Sequence, residues 1–253
     1  YANGVVDTTA LSFGILHVGA ASVARTVSVE NAVLTDAARQ DRLTAVGSSA
    51  LAGLTSSTVS ELAAGAAQNL TITVDTATAR SLAGNVSVAL TSTNTVSGLD
   101  AKSLTAATVA TTGLVYSGQS VWNTNGNGSW GTFASGFGAN WGANQGSAGL
   151  DAAFAAVDTA TFDNTALTAG DSATDSLNGA APSLKTIAFS TTGGGYTIAA
   201  GTGGSLTLKS SVGSAGINVG GGTHVVSTAV ALDSSVAAAI TAGSIELPVI
   251  QLK

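Results

Sequence analysis

Across residues 11–116, apolar side chains alternate with Ser and Thr, and each run of alternation stops at a Gly, Asn or Asp. Leu11, Phe13 and Ile15 share one side of LSFGILHVG, and Val27 and Val29 oppose Arg25 or Thr26 in RTVSVEN. Leu70, Ile72 and Val74, then Val86, Val88 and Leu90, then Leu114 and Tyr116 continue the pattern. Period-two alternation marks strands buried on one face only. About seven such strands predict a two-sheet sandwich. From Lys185 the rhythm shortens. Ile187 with Phe189, Tyr196 with Ile198, Leu206 with Leu208 and Ile217 with Val219 form inward pairs separated by Gly-rich turns. Regular short strands without a long connection predict a β-solenoid, with a jelly roll or second sandwich as the alternative. The expected class is all-β: an extended arm at 1–10, an immunoglobulin-like sandwich at 11–118, and a solenoid-like or jelly-roll domain at 119–253.

Between these two rhythms lies a stretch, 121–163, that holds Trp122, Trp130, Trp141 and four of the six phenylalanines, among them Phe162. NTNGNGS separates the first two tryptophans, and Asn-Gly steps tolerate the positive φ of tight turns. A three-residue loop at Asn125 to Asn127 would place Trp122 opposite Trp130 in a hairpin. One reading makes these rings a sugar-stacking platform. The other makes them a core plug with Trp141 and Phe162 beneath, which a chain only 5% aromatic favours.

Composition narrows the function. Only 9% of residues are charged, the net charge is −6, and the eight Lys and Arg are scattered, so nothing forms a basic patch for nucleic acid. Cysteine is absent, which excludes disulfides and zinc–thiolate sites. Methionine is absent too, so the chain is expected to be a processed product, a fragment or the ordered part of something longer. No apolar run is long enough to span a membrane. Together these traits suggest an extracellular or cell-surface protein of bacterial origin.

LSFGILHVG, RTVSVEN, ELAAGAAQNLTITVDT and GNVSVALTS resemble the immunoglobulin-like modules of the ASPM-SPD-2-Hydin group, found in choice-of-anchor-D surface proteins. The resemblance covers roughly residues 8 to 116 and rests on strand spacing, a Phe-Gly, a Val-Gly, an Asn closing the second strand and a Gly before the fifth. It implies a spacer or docking sandwich without catalytic residues. Residues 120 to 247 resemble the amino-terminal part of autotransporter-associated β-strand-repeat passengers. Trp122, Trp130, Asn140 with Trp141, Phe162 with Asp163, Ile187 with Phe189, Tyr196, and Leu206 with Leu208 carry that likeness. It implies a right-handed β-helix or a related β-rich fold on a bacterial surface. Those passengers run on for hundreds of residues into a membrane barrel, which this sequence does not contain.

Candidate chemistry is sparse. His17 and His224 lie in different predicted domains, and no nucleophile–base or paired-carboxylate motif is recognisable. Asp158, Asp163, Asp171 and Asp175 gather near Asn164 and could offer oxygens to Ca²⁺, though no EF-hand loop or nonapeptide repeat frames them. LTDAARQDRL reads as a solvated loop or single helical turn with local ion pairs among Asp36, Arg39, Asp41 and Arg42. The expected role is therefore non-enzymatic, without a cofactor: a structural subunit of a filament, sheath or matrix layer whose main partner is itself. Val5, Val6 and Leu11 of the arm would complete a neighbour's open β-edge beside Ile245, Leu247, Ile250 and Leu252, with Pro248 counting against that edge. Two other expectations compete: that more rungs follow, and that the chain is an adhesin segment for glycans or cell-surface proteins.

Overall fold

The computed structural model describes residues 1–93, 96–131, 140–248 and 250–252. Phe133 and Phe137 of the aromatic stretch lie outside the described residues. The chain divides into two compact units, Tyr1–Val115 and Tyr116–Lys253. Both are built of strands. A single 3-10 turn at Ala37–Arg39 is the helical element among the described residues.

The first unit is a two-sheet sandwich of the immunoglobulin-like kind, most of whose strand pairs are antiparallel. One sheet runs in the order Gly4–Val6, Val23–Asn31, Ala67–Val74, Leu54–Ser56. The other runs Ala10–His17, Ala107–Tyr116, Gly84–Thr93, Arg42–Ser48, Thr58–Leu62, with two short strands beside its middle. Val27, Val29, Leu70, Ile72 and Val74 of the first sheet share one core with Phe13, Leu43, Val86, Val88 and Val109 of the second. Each fully buried aliphatic of this kind contributes roughly 1.5–3 kcal/mol.

Three expectations need correction here. The arm at 1–10 does not lie outside the sandwich. Gly4–Val6 pairs with Val29–Asn31, Ala2 is buried, and its N–H donates to Ser92 Oγ at 2.8 Å. In the first long strand, Gly14 adopts φ 73°, and beyond it Leu16 rather than Ile15 packs on the core. In the last strand the inward set is Val109, Thr111 and Val115, not Leu114.

The second unit is a β-solenoid. The chain passes repeatedly through three parallel sheets, which a jelly roll or sandwich of antiparallel strands does not do. The first sheet stacks Gln119–Val121, Thr159–Asp163, Thr186–Ser190, Ala215–Val219 and Val236–Ile240. The second stacks Gly128–Ser129, Ser172–Ser176, Gly195–Ala199, Thr223–Val226 and Ser244–Glu246. The third stacks Ser183–Leu184, Leu206–Leu208, Val230–Leu232 and Ile250–Leu252. The register steps from Thr159 to Thr186 to Gly216 to Ala237, so successive turns take 27, 30 and 21 residues.

Parallel registration places equivalent positions one above another. Phe162, Phe189, Val219 and Ile240 form one ladder; Leu184, Leu208, Leu232 and Leu252 form another. All eight side chains of the four expected inward pairs are buried. The corners are tight. Gly194 has φ 58°, and a Cβ there would strike the Asp171 carbonyl one turn below; at Gly195 it would strike the Thr223 carbonyl one turn above. Glycine is required at both because the backbones of adjacent turns touch there.

Candidate functional site

The coil begins with an aromatic stopper. Trp122, Trp130, Trp141 and Phe162 are buried, with ring centroids 5.3 Å apart for Trp122–Trp141, 4.9 Å for Trp130–Trp141 and 5.6 Å for Trp141–Phe162. Most of these contacts are edge-to-face, the arrangement the ring quadrupole favours. Trp130 Nε1 donates to the Ala148 carbonyl at 3.0 Å and Trp141 Nε1 to the Trp130 carbonyl at 2.8 Å. Asn140 ties the turn together: Thr124 Oγ1 donates to its Oδ1 at 2.8 Å, and its Nδ2 donates to the Ser129 carbonyl at 2.6 Å. Above the stopper, Phe162 stacks on Phe189 and Phe189 on His224 at 4.4 Å. The column of rings thus reaches three turns into the coil.

The hairpin expected between Trp122 and Trp130 does not form. Gly128–Ser129 pairs in parallel with Asp175–Ser176, and Trp122 bridges to Trp141 instead. NTNGNGS therefore turns a corner between two faces of the coil. Buried as they are, the rings offer no surface on which a sugar could stack.

The seven expected assembly residues fall into two separate groups. Val5 and Val6 are half-buried within their own sheet, and Leu11 is buried in the sandwich core. Ile245 and Leu247 pack partly against the solenoid core, whereas Ile250 and Leu252 are 46% and 84% exposed. Ile240, 52% exposed, belongs with them and escaped the sequence reading. Stacking each turn on the one below would have revealed it, since Ile240 continues the ladder of Phe189 and Val219.

A second constellation organises one end of the sandwich. Asn31, fully buried, uses its whole hydrogen-bonding capacity. Its Nδ2 donates to the Asp41 and Leu62 carbonyls, and its Oδ1 accepts from Gln40 Nε2 and Asn3 N–H, all within 2.7–3.0 Å. Asp36 caps the 3-10 turn and lies 3.5 Å from Arg39, as expected of a solvated turn. Asp41 behaves differently. It is buried, and hydrogen bonds from the Ser97 N–H and hydroxyl and the Val96 N–H outweigh the cost of burial, holding its pKa down to about 2. The Tyr1 amine stands 3.6 Å away. Around this network Tyr1, Val33, Leu34, Val96 and Leu99 are each between 43% and 64% exposed, and Lys102 Nζ lies 4.7 Å from the Tyr1 ring.

The aspartates considered for Ca²⁺ do not share a site. Asp158 accepts from Gly149 N–H at 2.8 Å, Asp163 from Thr165 N–H at 2.7 Å, and Asp175 points into the core. Among the described residues no three His, Asp or Glu side chains gather as metal ligands. His17 and His224 lie in different units. No described helix is long and apolar enough to cross a membrane.

No family model matches the chain, and no curated protein matches it. Among solved structures it is similar to the ASH/PapD-like domain 7 of human CEP192, at 12% identity over 45% of this chain and 85% of that one, with a TM-score of 0.34. It is also similar to the Vibrio cholerae VesB protease, at 13% identity over 45% of this chain and 32% of that one, with a TM-score of 0.26.

Proposed function

We propose that the chain is a non-catalytic structural module of an extracellular bacterial assembly, such as a surface filament, sheath or matrix layer. The observation that carries this reading is the stacked coil itself: in its last described turn Val236–Ile240, Ser244–Glu246 and Ile250–Leu252 carry Ile240, Ile250 and Leu252 on a surface that a further turn, of this chain or of a second copy, would cover. A turn of matching geometry from a second copy would satisfy the backbone groups of those strands and cover those side chains. The donor is not residues 1–10, which already serve their own sheet. Contacts repeated head to tail would extend as a filament; contacts between like ends would close as a dimer. Negative-stain microscopy of the native particle, with sedimentation of wild type and of an Ile250→Asp/Leu252→Asp variant, tests this. Ordered polymers that the double substitution dissolves support the proposal. A wild type that stays monomeric at high concentration overturns it.

An adhesin role draws on a different surface. Tyr1, Leu34, Thr35, Asp36, Arg39 and Gln40 line a shallow cleft at the apolar end of the sandwich, held in shape by Asn31 and Asp41. Its partner would be a protein or glycan with both apolar and polar contacts. Loss of surface attachment in a Leu34→Asp variant that still assembles normally would favour this reading.

A further inference from the structure

Asp175 sits where the coil places apolar residues. It lies in the second turn, aligned with Gly128 below and Ile198 above, and Ile198 aligns in turn with Val226. Its side chain is fully buried, and neither carboxylate oxygen has a hydrogen-bond partner. Gly128 leaves room for the Trp122 ring, whose Cζ2 stands only 2.6 Å from where a Cβ would be. The Trp122 indole N–H is likewise buried and unpartnered. An orphaned carboxyl and an orphaned donor therefore flank the same glycine, directly under the stopper.

We propose that Asp175 is held as a neutral carboxylic acid beneath the tryptophan stopper, and that its ionisation in alkaline solution loosens the stopper, making the first turns of the coil a proton-sensitive latch. An ionised carboxylate with no partner in an apolar interior is far costlier than the neutral acid. Among the described residues nothing supplies a counter-charge. Gly128–Ser129 carries no titratable group. Tyr196, on the strand above, donates its hydroxyl to the Asp163 carbonyl. His224, beyond Tyr196, is a hydrogen-bond acceptor at Nδ1. Burial alone pushes the Asp175 carboxyl up to about 8, from an ordinary 3.8.

The direction of the pH effect follows. In the unfolded chain Asp175 has lost its proton well below neutrality; in the coil it keeps the proton to about pH 8. Unfolding then releases a proton throughout that window, so stability falls as pH rises through it and levels off above. His224 acts in the opposite sense only on the acid side, so about pH 6.5 to 9 isolates Asp175.

All three tryptophans lie in the stopper, so intrinsic fluorescence reports this end of the coil alone. The test is urea unfolding of the full chain followed by tryptophan fluorescence across that pH range, for wild type, Asp175→Asn and Asp175→Leu. The wild-type midpoint should fall with rising pH, and both substitutions should abolish the fall. Leu matches the Ile198 and Val226 positions of the ladder, so it serves if Asn does not fold. Infrared spectroscopy of the native wild type at neutral pH should show a neutral-acid carbonyl band that either substitution removes. Equal pH slopes in wild type and variants, or absence of that band, would overturn the proposal.

Discussion

The two units solve one problem in opposite ways. The sandwich closes its core by facing two mainly antiparallel sheets, so nearly every buried side chain is aliphatic and Phe13 is the one phenylalanine among them. The solenoid stacks parallel turns, so its core is a column, stoppered where it starts by Trp122, Trp130 and Trp141. In the sandwich a polar side chain can be buried because loops converge on it. Asn31 gathers four hydrogen bonds from three segments of chain. In the coil, buried Asp158 is reached by the Gly149 N–H of a connecting loop, whereas Asp175, set between its ladder neighbours, is left with no partner. Whether a loop reaches a buried polar group decides whether it is an anchor or a liability.

Substitutions can break this contrast, and the largest effect should come from the stopper. Trp130→Ala removes a fully buried ring and its bond to Ala148, and should cost about 3–5 kcal/mol. The loss should show as early unfolding of the coil in circular dichroism, while the sandwich transition stays in place. Coincident loss of both transitions would mean the units do not fold separately. Next, Gly195→Ala forces a methyl against the Thr223 carbonyl and should cost up to about 3 kcal/mol. Thermal denaturation would show it, whereas Gly98→Ala, where a Cβ meets nothing, should cost only the strain of its φ of 70°.

In the sandwich, Asn31→Ala leaves the Asp41 and Leu62 carbonyls and Gln40 without their shared partner. A loss of about 2 kcal/mol is expected, visible in denaturation by circular dichroism and silent in tryptophan fluorescence. The smallest effect concerns His224. Burial lowers its pKa, only partly countered by its bond to the Gly221 carbonyl, so the unfolded state binds a proton that the folded coil refuses. Coil stability should decline as pH falls below about 6.5, and His224→Phe should remove that decline in pH-dependent fluorescence unfolding.

Much of this architecture was legible in the chain. Alternation in Val27 and Val29, or in Leu70, Ile72 and Val74, is local, and local periodicity dictates which face of a strand is apolar. The scarcity of large side chains placed the tryptophans inside for the same kind of reason. The shorter rhythm after Lys185 likewise pointed to stacked turns.

What tertiary structure alone decided is which strand lies opposite which. Gly4–Val6 reads as a free arm until Val29–Asn31 is beside it. NTNGNGS reads as a hairpin until Asp175–Ser176, remote in sequence, takes Gly128–Ser129 as a parallel neighbour. Asp41 reads as one more loop charge until residues 96–97 fold over it. Asp175 reads as one of four aspartates that could offer oxygens to Ca²⁺ until parallel register sets it in a ladder with Ile198 and Val226. The chain determines the conformation and polarity of each segment through neighbours one or two residues away. Pairing and burial depend on contacts distant in sequence, where many partners of similar strand character compete and only packing of the whole selects among them.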